Sequence, residues 1–211
     1  MQLTTGLSNI SIGSYDGLNM APLKANTDGS YCVAIGTGAL STANENDNDG
    51  TVAIGHLACK VQAGTGGAQF ANVTTAVGYK ALTALTTGAG NIAIGYQALL
   101  DHTEGSRNLA IGYEAMFNTY DGSADDTRES SDNIAIGYRA MGGAWTDSDA
   151  DNDDMSEKNV AIGNYAMDGA MADANENVAM GHNAGTGITG GSYNTLLGTD
   201  SGDGITSGNF N

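Results

Sequence analysis

Repetition constrains this chain more than any other feature. The phrase NIAIGYQAL (residues 91–99) returns as NLAIGYEAM (108–116) and NIAIGYRAM (133–141). With the glycine as the zero position, matching glycines are Gly13, Gly36, Gly55, Gly78, Gly95, Gly112, Gly137, Gly163, Gly181 and Gly198. These ten copies are separated by 23, 19, 23, 17, 17, 25, 26, 18 and 17 residues. A minimal unit of 17 residues with insertions is too short for helix-pair repeats, which need about 33 or more.

The slots around the glycine are selective. Asn stands four before it in seven copies: Asn9, Asn91, Asn108, Asn133, Asn159, Asn177 and Asn194. Ala stands two before it in eight copies and Ile one before it in seven. Ala recurs three after it, and Leu or Met four after it, with Cys59 once in that slot. In the type phrase these slots are Asn91, Ile92, Ala93, Ile94, Gly95, Tyr96, Ala98 and Leu99.

Ile92-Ala93-Ile94 is too short for a helix and reads as a strand, with Asn91 and Gly95 as flanking turn residues. Strand residues alternate faces, so Ile92 and Ile94 point one way and Ala93 the other. Neither face is polar, which predicts cover on both sides. Either the Ile/Val face fills the coil while the Ala face admits another backbone, or the Ile/Val face packs between chains. The segment after the glycine is a single helical turn or a corner, with Ala98 and Leu99 inward.

The fold class expected is therefore all-β: a parallel β-solenoid of about ten short coils, forming one domain over 1–211. At about 4.8 Å per strand it would be a rod roughly 50 Å long. The repeated apolar slots are core packing, because stacked repeats need a shared core.

The chain has 24 acidic and 7 basic residues, a net charge of −17. Such a balance argues against nucleic-acid binding and against anionic membrane surfaces. It favours solubility and a medium that screens repulsion. No apolar run approaches a membrane span. The start, MQLTTGLSNISIG, has neither a basic n-region nor an apolar h-region. Read as the native start, it predicts a chain made in the cytosol and not exported by a cleaved signal. Cys32 and Cys59 fall in different slots and read as free buried thiols rather than a disulfide.

Insertions lie near 44–50, 120–132 and 145–158. Insertions in solenoids map to surface loops and often to a binding face. In the last, Asp147, Asp149, Asp151 and Asp153 alternate as calcium ligands do. The EF-hand pattern fails, with Asn152 at the sharp-turn position and Lys158 at the bidentate one. The plainer reading is a solvated acidic loop; the alternative is a weak calcium site, the one candidate cofactor. Trp145 and Tyr120, also in insertions, either stack on a sugar ring or cover a coil edge. Tyr79, Tyr96, Tyr113 and Tyr138 share one slot and read as a stacked ladder rather than a ligand platform. His56, His102 and His182 are scattered, and no catalytic motif is found. The expectation is a non-enzyme.

The phrases NIAIGYQAL, NLAIGYEAM and NVAIGNYAM resemble the N-[IV]-A-I-G repeats of trimeric autotransporter adhesin heads. In the longer form, with Gly-Tyr-x-Ala-Leu, they resemble repeats of bacteriophage tail-fibre and related virion-fibre proteins. The resemblance covers almost the whole chain. It implies a left-handed β-roll, three chains side by side, and a structural or adhesive fibre component of a phage virion that meets a host-surface glycan or protein. Release by lysis would need no signal. A bacterial surface adhesin or self-assembling extracellular filament is the second reading, and a glycan-cleaving tailspike the third. The closing ITSGNFN places Asn211 in the Asn slot of a coil about to begin. That predicts a stacking partner at the C-terminal end, another copy or another virion protein, or a deleted continuation.

Overall fold

The computed structural model describes residues 6–14, 21–24, 29–42, 49–61, 73–86, 88–119, 130–145 and 156–210. Its strands are β1 (Ile10–Ile12), β2 (Val33–Ile35), β3 (Val52–Ile54), β4 (Thr75–Val77), β5 (Ile92–Ile94), β6 (Leu109–Ile111), β7 (Ile134–Ile136), β8 (Val160–Ile162), β9 (Val178–Met180) and β10 (Thr195–Leu197). Each ends at the residue before a phrase glycine. They form one parallel sheet in chain order, β1 to β10. Every pairing holds the same register, as in Ile92↔Leu109, Ala93↔Ala110 and Ile94↔Ile111. Parallel neighbours need a connection of a dozen or more residues, and the 17-residue unit supplies it. The chain is a β-solenoid, all-β as expected.

The Ile/Val face does not fill the coil; the alanine face does. Ala93 is fully buried, whereas Ile92 and Ile94 are 37% and 38% exposed. The Ala column of the strands faces the coil interior from Ala34 to Ala179. It packs with the inward residues of the following turn, such as Ala98, Leu99, Met116, Met141 and Met167. Alanine suits the inner slot because Leu or Met from the turn fills the remaining space. The strand Ile and Val side chains therefore stand outside.

The segment after the glycine is a corner. Gln97 and Leu99 are left-handed, with φ of 54° and 52°, and the same two slots recur as Glu114 and Met116, then Arg139 and Met141. A left-handed non-glycine residue costs about 1–2 kcal/mol. Each of these residues donates its N–H to a neighbouring coil: Gln97 back to the Tyr79 carbonyl at 2.9 Å, Leu99 forward to the Ala115 carbonyl at 3.0 Å. The alternation of hand thus lets a tight corner keep the up-and-down hydrogen bonding of a sheet. Ala98 and Leu99 do point inward, as expected.

The Asn slot is more than a turn. Asn91, Asn108, Asn133, Asn159, Asn177 and Asn194 are buried. They form a continuous ladder. The Asn108 Oδ1 accepts from the Asn133 backbone N–H and from Asn133 Nδ2, both at 3.1 Å. Asn133 Nδ2 also donates to the Ser156 carbonyl at 2.9 Å. Asn133 Oδ1 in turn accepts from Asn159 N and Nδ2 at 3.0 and 3.2 Å. The turning itself falls to the preceding residue, left-handed at Arg107, Asp132, Lys158, Glu176 and Tyr193.

The phrase glycine is required twice over. Gly112 has φ of 141°, and a Cβ there would fall on the carbonyl oxygen of Gly137. Gly90 is a contrast: φ is 69°, and its Cβ would meet only the Arg107 Cγ at 3.7 Å. Gly112→Ala is expected to cost about 3 kcal/mol or more, and Gly90→Ala about 1 kcal/mol. Urea unfolding of both variants measures the difference; equal losses would refute the close-approach account. Asn133→Ala strands several buried partners at once and is expected to cost about 2–4 kcal/mol, read in the same titration.

Candidate functional site

Three outer features could meet a partner: the aliphatic face, a ring ladder and a recess where that ladder breaks. The first is built by the strand residues on either side of the buried alanine. From Ile10 and Ile12 to Leu197 it runs across all ten strands as two columns, half-exposed along most of its length. The columns are Ile, Val and Leu apart from Thr75, Thr195 and Met180, and make a largely apolar surface with one-rung periodicity.

The second feature is the slot after the glycine. His56, Tyr79, Tyr96, Tyr113 and Tyr138 stack face to face, with centroids 5.4, 5.3, 4.7 and 5.2 Å apart and ring planes within 8–11°. A sugar stacks on a free ring face. Tyr79, Tyr96 and Tyr113 each have both faces covered, so only their edges meet solvent. This is the structural ladder expected. A charge column runs beside the Asn ladder: Arg107 binds Asp132 in a two-pronged pair at 2.6 and 2.7 Å, and Lys158 lies 3.9 Å from Glu176. The guanidinium holds the Asp132 carboxyl below its ordinary range through that hydrogen bond. The pair is exposed, and contributes more to coil register than to stability.

At β8 the ring ladder breaks. Asn164 takes the tyrosine slot and accepts from the Tyr138 backbone N–H at 3.0 Å. The ring moves one residue on, to left-handed Tyr165. Tyr165 meets Tyr138 edge-on at 66° and His182 edge-on at 77°. An open recess of about 490 Å3 lies there, lined by Tyr165, Asp168, Gly169, His182, Asn183 and Thr186.

No protein family, curated protein or solved structure matches the chain. What the surface can do is therefore argued from its own chemistry. Of the two readings open for Trp145, the structure excludes the exposed sugar platform: the indole is only 5% exposed and belongs to the core. Tyr120 and the acids Asp147, Asp149, Asp151 and Asp153 lie outside the described residues. Among the described residues no group of three or more His, Cys, Asp or Glu side chains could hold a metal ion. Cys32 and Cys59 are buried thiols not joined in a disulfide, and burial first, then the neighbouring Cys32, pushes the Cys59 thiol up to about 12. Such a thiol is inert.

His102 is the group that sequence reasoning passed over. It is buried, and Asn108 Nδ2, already in the ladder, lies 3.3 Å from its Nε2. Its Nδ1 lies 3.1 Å from Thr119 Oγ1. The pairing fits a neutral ring that accepts at Nε2 and donates from Nδ1. Burial lowers its pKa from 6.5 to about 4, against a smaller opposing effect of the Gly105 backbone. The fold thus refuses a proton that the unfolded chain accepts. Its contribution is complete above pH 6.5 and is lost as the pH falls from 6.5 towards 4, by about 3 kcal/mol in all. His102→Gln should flatten that part of the curve relative to wild type. Unfolding midpoints measured at intervals from pH 7 to 4 check it, and parallel curves would refute it.

Proposed function

We propose that this chain is a structural component of a phage virion fibre, a homotrimer that holds a rigid scaffold and displays loops toward a host surface, without catalysis. The observation that carries the reading is the aliphatic face. Covering an Ile or Val fully is worth about 1.5–3 kcal/mol, and these side chains are only part-covered in one chain. Two such columns over ten strands can therefore supply a large association energy. A second copy of the same repeat presents the same side chains at the same rung spacing, so it matches this face along its whole length. The number three, like the virion setting, comes from the resemblance of the phrases to fibre and adhesin-head repeats.

The non-catalytic reading is supported by how the polar groups are used. The Asn ladder bonds coil to coil, and the charged column pairs across coils. Charge sets a condition on assembly. Each chain carries −17, so side-by-side packing is opposed by repulsion that salt screens. The fibre should form more readily at 0.15 M salt and above, where the Debye length is about 8 Å.

Sedimentation velocity tests the assembly. The expected species has three times the 21.3 kDa chain mass. Ile111→Asp combined with Ile136→Asp puts two carboxylates in the middle of the face and should dissociate it. A wild-type chain that stays monomeric at every salt concentration would overturn the trimer. Immunogold labelling of virions with antibody to the chain tests the setting: label on fibres is expected, and label confined to cell surfaces would favour the adhesin reading.

A further inference from the structure

We infer that the tyrosine ladder is an oxidative cross-linking site, at which a one-electron oxidant joins the phenols of successive coils as dityrosine. The inference concerns a single chain, goes beyond the reading of assembly, and stands whether or not three chains associate.

Coupling needs two phenols that are neighbours and within reach of an oxidant. Tyr79, Tyr96, Tyr113 and Tyr138 form three adjacent pairs, with centroids 5.3, 4.7 and 5.2 Å apart and planes 8–11° from parallel. Each of the four is 38–44% exposed. Other described tyrosines lack this arrangement. Tyr31 is exposed but has no ring partner among the described residues. Tyr193 stacks at 4.9 Å on Phe210, which carries no hydroxyl. Tyr165 meets Tyr138 edge-on. Trp145, Cys32 and Cys59, which would compete for a one-electron oxidant, are buried.

The chemistry balances within one pair. Each phenol gives one electron to the oxidant, which is reduced, and its hydroxyl proton to water. The two phenoxyl radicals then form a carbon–carbon bond between ortho positions. The hydrogen on each joined carbon returns to the phenoxyl oxygen, which restores both aromatic rings. The pair has lost two hydrogens in all. To bond, the rings swing from face-to-face towards side-by-side, and their exposed edges have solvent to move into.

The fold favours links within the chain. Phenols held one rung apart meet at an effective concentration far above that of another chain in dilute solution. A charge of −17 on each chain keeps separate copies apart. Tyr79, Tyr96 and Tyr113 are spaced by 17 residues, and Tyr138 follows Tyr113 by 25. A bond across any of these intervals closes a loop of that length and restricts the unfolded chain, as a disulfide does. The ladder therefore lets oxidation staple coil to coil.

The test is photo-oxidation of the dilute full chain by ruthenium(III) tris-bipyridine, generated with light and persulfate, followed by digestion and mass spectrometry. Peptides joined through Tyr79–Tyr96, Tyr96–Tyr113 or Tyr113–Tyr138, lighter by two hydrogens, are expected, together with dityrosine fluorescence. Tyr96→Phe combined with Tyr138→Phe keeps a ring at every rung but leaves no two tyrosines adjacent in the ladder. Its fluorescence should fall about tenfold, with an unchanged melting curve, although seven of the nine tyrosines remain. Wild type oxidised in urea, where the stack is lost, should fall likewise. Links made mainly through Tyr31 or Tyr193, links made mainly between chains, or undiminished fluorescence in the double variant would overturn the proposal. If the double variant fails to fold, the urea comparison decides, and equal fluorescence from folded and unfolded wild type refutes the site.

Discussion

Each phrase glycine from Gly36 to Gly181 lies with its Cα against the carbonyl of the next phrase glycine, too close for any side chain between them. This contact sets the rung of the solenoid. It brings the strands to hydrogen-bonding distance in constant register, and it stacks every other slot on its own kind. The asparagines then fall over one another and bond in series, the tyrosines stack, and the basic and acidic residues before the asparagines pair across coils. None of these ladders could form with a variable rung. The insertions are tolerated for the same reason: they leave the phrase and return to it, and the length between matters little to the register.

Much of this was legible in the sequence, for a physical reason. A slot that must repeat in three dimensions must also repeat in the chain, so strands, glycine corners and the tyrosine ladder all appear as periodic letters. What was hidden is what periodicity does not encode. Ile-Ala-Ile is apolar on both faces, so alternation alone cannot say which face is inside. The answer depends on the corner residues Leu99 or Met116, which already fill the coil and leave room only for alanine opposite. Asn133 is recognisable as a turn former, but its burial and its bonds to Asn108 and Asn159 belong to neighbouring coils. Gln97 and Leu99 carry no mark of a left-handed backbone; their conformation is imposed by the hydrogen bonds they make to the coils on either side.

The two residues outside the repeat behaved differently from their composition. Trp145 sits in a polar insertion, which leaves both exposure and burial open, and it is buried with the core. His102 lies in a polar tract and is drawn into the interior by Asn108. Trp145 opens an insertion whereas His102 lies in a minimal 17-residue unit, yet in both the apolar or hydrogen-bonding demand of the interior overrides the polarity of the surrounding residues.

An inside-out assignment of sizes also changes what such a solenoid needs. If the large aliphatic residues filled the coil, a single chain would be self-sufficient and its outer face would be alanine. With alanine inside, the core is thin, and the more favourable burial is displaced to the outside, where one chain cannot complete it. The proposed side-by-side association would add what the single coil lacks, along the whole length rather than at one patch. The ring ladder follows the opposite logic. Its outward groups stack on one another, until Asn164 interrupts the series.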